Sequence, residues 1–148
     1  MDAFMRKVLC IVMILCTLIS ATGCGYATQI KRNQCLNLYE KEESFVSLTG
    51  KVTEVDNGKN TQILKIECSD LLDYVSPKGY EDIQYRVFSD LPLDLEVGDT
   101  ITFITVPAEY KYSDTLPIVS VVQDGETLLD LEEGKDNLIS WANQLQYK

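Results

Sequence analysis

From Phe45 onward the apolar residues of this chain fall at nearly every second position, in short runs broken by turn residues. That period specifies β-strands with one buried face. Along Phe45–Val55, the residues Val46, Leu48 and Val52 share one side of the pleat, while Ser47, Thr49 and Lys51 take the other. Asp56-Asn57-Gly58-Lys59 follows. Asn and Gly tolerate the positive φ that both central residues of a type I′ turn require, so a tight hairpin is expected there. Its partner is Thr61–Cys68, with Leu64, Ile66 and Cys68 inward. Further strands are expected at Ile83–Phe88, Thr100–Val106 and Leu116–Gln123. After the last come a turn at Asp124-Gly125 and a short sixth strand at Thr127–Leu131. Asp70–Tyr80 reads as a helical turn and a loop, Pro92–Asp99 as a connector, and Glu109–Thr115 as a polar loop bearing tyrosines. The chain closes on an amphipathic helix near Lys135–Gln146, apolar at Leu138, Ile139, Trp141, Ala142 and Leu145. This helix is expected to plug one end of the β-structure.

Three segments carry a resemblance to a known fold: Phe45-Val46-Ser47-Leu48-Thr49-Gly50-Lys51-Val52, Val97-Gly98-Asp99-Thr100-Ile101-Thr102-Phe103 and Leu116-Pro117-Ile118-Val119. Together with the meander start and the Gly-Asp turn before the fourth strand, they resemble the OB-fold, a small Greek-key barrel. The resemblance implies a mainly β domain over residues 45–148, a five- to six-stranded OB-like barrel with a C-terminal helix. OB-folds often place a helix between strands three and four, for which Pro92 and Gly98 leave little room. A small β-sandwich or an unrelated barrel is the alternative. Ligands of OB-folds use one barrel face and the loops beside it.

The N-terminus has a different character. Arg6-Lys7 precede an apolar run from Val8 to Ile19, and Ala21-Thr22-Gly23 lead into Cys24. A basic stretch, an apolar stretch of this length and small residues at a cleavage point make a secretory signal peptide over residues 1–23. Small residues directly before a cysteine resemble the lipobox of bacterial envelope lipoproteins, although Ala21 stands where that family usually has Leu. The resemblance implies that Cys24 is lipidated, with palmitate among its acyl chains, and becomes the first residue of the mature chain. Residues 24–44 would then be the lipidated cysteine and a tether, which turns into a short helix near its end. Gly25-Tyr26-Ala27 also passes as a cleavage site for plain secretion. An uncleaved anchor would need about 20 apolar residues, more than this run supplies. Cys10 and Cys16 lack a small residue in front and leave with the leader.

Composition removes several classes of function. The formal charge is −10, and −11 without Asp2, Arg6 and Lys7. Only Arg32 and Arg86 remain as arginines after the leader. Nucleic-acid binding needs a basic footprint that such a chain lacks. Histidine is absent, which removes Ser-His-Asp and Cys-His nucleophiles and imidazole as a base. Neither a cofactor nor a metal is implied: no segment has the spaced oxygen ligands of a calcium loop. Two cysteines remain beside Cys24. Cys35 and Cys68 either bridge, which an exported compartment permits, or stay as two buried thiols.

Tyrosines are the candidate binding surface. Tyr110 and Tyr112 lie two apart beside Pro107 and Lys111, on one face if the chain there is extended. Tyr80 and Tyr85 flank the start of the third strand, and Tyr74 precedes it. Their rings either stack on a ligand or cap the barrel ends with their hydroxyls in water. The carboxylates (Asp70 with Asp73, Glu81 with Asp82, Asp94 with Glu96 and Asp99, Glu132 with Glu133) read as solvated surface, and Asp99 as turn chemistry. The expectation is a non-enzymatic lipoprotein, anchored outside the cell membrane through Cys24, that binds a peptide, glycan or protein partner or supports an envelope assembly. The alternatives are a carboxylate-dependent hydrolase of cell-wall or extracellular polymer, and an inhibitor or immunity-type protein.

Overall fold

The computed structural model describes residues 35–59, 61–76 and 82–146. The segments read as leader and tether (residues 1–34, with Cys24) and Tyr80 lie outside the described residues, as does the side chain of Leu145. The described chain is mainly β. Six strands, β1 (Val46–Asn57), β2 (Gln62–Glu67), β3 (Gln84–Val87), β4 (Thr100–Thr105), β5 (Thr115–Gln123) and β6 (Glu126–Leu129), precede a helix α1 (Leu131–Gln146). The first five close into a barrel. β1 pairs antiparallel with β2 and β4, β2 with β3, and β4 with β5; the circle shuts through a parallel pairing of β3 with β5. β6 adds to β5 as an extra strand.

The length of β1 makes closure feasible. Residues 46–51 pair with β4 and residues 51–57 with β2, so one strand serves two neighbours by bending between them. Gly50 stands at the bend. A Cβ there would lie 2.6 Å from Ile66 Cγ2 and 2.8 Å from the Glu67 carbonyl oxygen, so only glycine lets β2 cross this closely. The register slips between Val52 and Glu54, a bulge that bends the strand further.

Alternation assigns the interior. Leu48, Val52, Leu64, Ile66, Tyr85, Phe103, Leu116 and Ile118 are all buried in one core, where the Tyr85 and Phe103 rings meet edge to face at 5.3 Å. Leu95 of the connector between β3 and β4 joins this core, and no helix forms along residues 88–99.

β5 departs from alternation: every residue from Leu116 to Val121 is buried. Such a run means that both faces are covered. The inner face packs the barrel, and α1 covers the outer one. Leu138 and Ala142 of α1 join Val119, Val106, Phe88 and Tyr39 in a second apolar cluster. α1 therefore lies along the barrel wall and does not plug its end; β5 presents an apolar outer face for it. Gly134 makes the approach possible, because a Cβ there would fall 1.9 Å from the Val119 carbonyl oxygen.

Turn chemistry is redistributed as well. Asn57 pairs with Gln62, the loop spans residues 58–61, and neither Asn57 nor Gly58 has positive φ. Asn57 is held as the strand end, its side-chain oxygen accepting from Gln62 Nε2 at 3.0 Å. The two-residue turn with positive φ at both positions occurs instead at Asp124 (51°) and Gly125 (80°). Residues 107–111 form a 3-10 turn in place of an open loop.

Gly134→Ala is expected to cost about 3 kcal/mol, at the upper end for overpacking, because α1 must lift from β5 backbone. Urea denaturation of wild type and variant measures the loss.

Candidate functional site

The period of two that buries Tyr85 and Val87 turns Arg86 and, two residues on, Phe88 to the other face of the chain. Trp141 reaches the same place from α1. The Arg86 guanidinium lies 4.8 Å from the centre of the Trp141 ring and 5.2 Å from that of Phe88, and the two rings meet edge to face at 5.3 Å. Each cation–π contact contributes about 0.5–2 kcal/mol when partly desolvated. Burial lowers the arginine's pKa from its usual value. Among the described residues the one ion pair is Lys65 with Glu54 at 3.5 Å, so Arg86 is held by aromatic faces and not by a carboxylate.

Beside this cluster is a cleft of about 450 Å³. Its walls are the β1–β2 loop (Gly58, Lys59, Thr61), the start of the connector after β3 (Phe88 to Pro92), and Asn137 and Trp141 of α1. The walls are fixed by hydrogen bonds. Gln62, only 3% exposed, donates to the Leu93 carbonyl at 2.9 Å and accepts from the Leu93 N–H at 3.0 Å. Asn137 Nδ2 donates to the Phe88 carbonyl at 3.1 Å, tying α1 to the connector. Farther along, Asp99 Oδ2 accepts the Glu96 N–H at 2.8 Å, with Gly98 at φ 100°, so Asp99 holds a turn.

A smaller cavity of about 240 Å³ shares Arg86, Phe88 and Trp141 and is also lined by Tyr39 and Glu109. Glu109 sits on the 3-10 turn and is 7% exposed. The Tyr39 hydroxyl donates to Glu109 Oε1 at 2.6 Å, while Oε2 is buried with no partner. Desolvation raises the carboxyl to about 7, against the smaller lowering effects of its hydrogen bonds with Tyr39 and Cys35. Burial, with Glu109 alongside, pushes the Cys35 thiol up to about 12, and the same causes raise the Tyr39 hydroxyl. The thiol and the hydroxyl therefore hold their protons near neutral pH, so neither is an activated nucleophile there, while Glu109 titrates in that range.

The tyrosines expected as a binding surface are dispersed. Tyr85 is fully buried in the barrel, its hydroxyl unpartnered, because it falls on the inward phase of β3. Tyr110 is half-buried against the barrel core, and Tyr112 is half-buried with Lys111 Nζ 6.0 Å from its ring centre. The 3-10 turn removes the shared extended face foreseen for them, and neither borders the cleft. Tyr74 is exposed. Cys35 and Cys68 are both free: Cys68 packs inside the barrel while Cys35 belongs to the cluster under α1, so β5 and its neighbours separate two thiols that could have bridged. No group of three or more acidic or cysteine side chains suited to a metal occurs among the described residues. The residues that do converge (Arg86, Phe88, Trp141, Glu109 and Tyr39) have one sequence signal. Arg86-x-Phe88 keeps a rare cation and a ring on one strand face.

Comparison with known proteins yields no match: no family model, no curated protein and no solved structure aligns with the chain.

The sign of the Glu109 effect is definite. Its carboxyl binds its proton more tightly folded than unfolded (about 7 against 4.5), so stability falls as pH rises from about 4.5 to 7 and levels off above. Glu109→Gln, which keeps an acceptor for Tyr39, is expected to flatten that slope and to gain about 1–3 kcal/mol relative to wild type at pH 8. Denaturant midpoints at pH 5, 6, 7 and 8 check it.

Proposed function

We propose that this protein is a lipoprotein of the bacterial envelope, anchored through lipid on Cys24 and held outside the membrane, whose OB-type barrel binds a peptide, glycan or protein partner without chemical turnover. The observation that carries the binding role is the cleft itself. It combines apolar walls, a half-buried cation and backbone positions pinned by Gln62 and Asn137, which is the make-up of a recognition site. Its place beside the β1–β2 loop agrees with the OB-type reading, in which loops next to one barrel face take the ligand. The strand order, closed by β3 against β5, supports that reading too.

The hydrolase alternative needs two carboxylates converging on a cavity. Asp90 is the one acid at the cleft and Glu109 the one acid at the smaller cavity, which favours the binder. Support for the address comes from Arg6-Lys7, the apolar run to Ile19 and the small residues before Cys24.

Growth on radiolabelled palmitate is expected to label wild type in the membrane fraction and to leave Cys24→Ala unlabelled; label in neither chain would remove the lipid anchor. Cross-linking in intact envelopes is expected to give a partner adduct with wild type that Trp141→Ala reduces at least fivefold. An unchanged adduct would move binding away from the cleft.

A further inference from the structure

We infer that the cleft binds the C-terminal carboxylate of a peptide whose last side chain is apolar, with Arg86 as the carboxylate receptor; this rests on the binding reading above. The first ground is an unused fork. The chain has 23 acidic residues against 13 basic ones, yet none of the described carboxylates lies within ion-pair distance of Arg86. Phe88 and Trp141 stand against the guanidinium at 5.2 and 4.8 Å, so the planar group is oriented before any ligand arrives. Its N–H edge is the part left to bond, and that edge matches the two oxygens of a carboxylate.

Local charge reverses the overall sign. Arg86 and Lys59 line the cleft against Asp90 alone, in a protein of net charge −10. Two cations against one acid give the cleft a local excess of positive charge that an anion can use.

The remaining walls select what carries the carboxylate. Phe88, Leu91, Pro92 and Trp141 form an apolar side, and Leu91 is 76% exposed at the rim. Such a side chain left in water beside a cation suits an apolar residue one carbon away from a carboxylate. A volume near 450 Å³ holds a terminal residue or two. An acidic sugar is the weaker fit. Sugars stack on open aromatic faces, whereas one face of Trp141 is covered by the guanidinium and Phe88 meets the ring edge-on.

Trp141 is the sole tryptophan and touches the receptor, so its emission reads this site alone. Full-length protein in detergent micelles is titrated with N-acetyl-alanyl-leucine, with its C-terminal amide and with galacturonate. The free acid is expected to change Trp141 emission saturably and the amide to bind at least tenfold more weakly. Arg86→Gln should weaken the acid at least tenfold, with unaltered far-ultraviolet circular dichroism. Lys59→Gln, on an exposed loop, should weaken it two- to fivefold and tests the charge argument even if the arginine variant unfolds. Equal binding of acid and amide, or no response to the acid, overturns the carboxylate inference; galacturonate binding more tightly than the acid overturns it in favour of an acidic glycan. None of these results touches the broader binding reading, which fails only if cross-linking yields no partner adduct.

Discussion

The contact of Gly134 with the backbone of Val119 is the constraint on which the rest of this molecule depends. A five-stranded barrel has one interior, and a strand such as β5, apolar on both faces, would leave half of that surface in water. Bringing α1 within backbone distance covers the outer face and creates a second core from Val119, Val106, Leu138, Phe88 and Tyr39. Apolar burial stabilises both cores in proportion to the area removed from water. Without a Cβ at position 134 the helix sits close enough for Trp141 to reach Arg86, so the cleft follows from the packing and is not an independent feature.

That second core also decides the electrostatics. Tyr39 belongs to it, Cys35 packs against it, and Arg86 and Glu109 line the cavity beside it, where charge is poorly solvated. The consequences have opposite signs. Glu109 responds by keeping its proton to about pH 7, since a buried carboxylate with one unpartnered oxygen is costly. Arg86 cannot shed its proton at accessible pH and is instead stabilised by two ring faces. Below about pH 7 the first group is mostly neutral while the second stays a cation, so the cleft beside Arg86 carries a local positive excess in an acidic protein.

Much of the barrel was legible in sequence because its interior follows a simple period. Leu48, Val52, Leu64, Ile66 and Cys68 were assignable to the buried face by alternation alone, and the strand limits shifted by a residue or two. The turns were less legible. Asp-Asn-Gly-Lys and Asp-Gly carry similar local preferences, yet positive φ at both central positions occurs at Asp124-Gly125, whereas Asn57 stays in its strand, paired with Gln62 and bonded to its side chain. Tyr85 shows the same limit in another form. Its type suits a binding surface, but its phase on β3 puts it inside.

By itself, the sequence determined the period-two strands, the amphipathic C-terminal helix, the acidic net charge and the absence of histidine, because each depends on residue identity or on neighbours within a few positions. Only the tertiary structure decided that α1 covers a wall instead of an end, that Cys35 and Cys68 are kept in separate cores, and that Arg86 meets Trp141 across 55 positions of chain. Those outcomes depend on which faces are left uncovered once the strands have paired, and local pattern carries no information about a partner that far away.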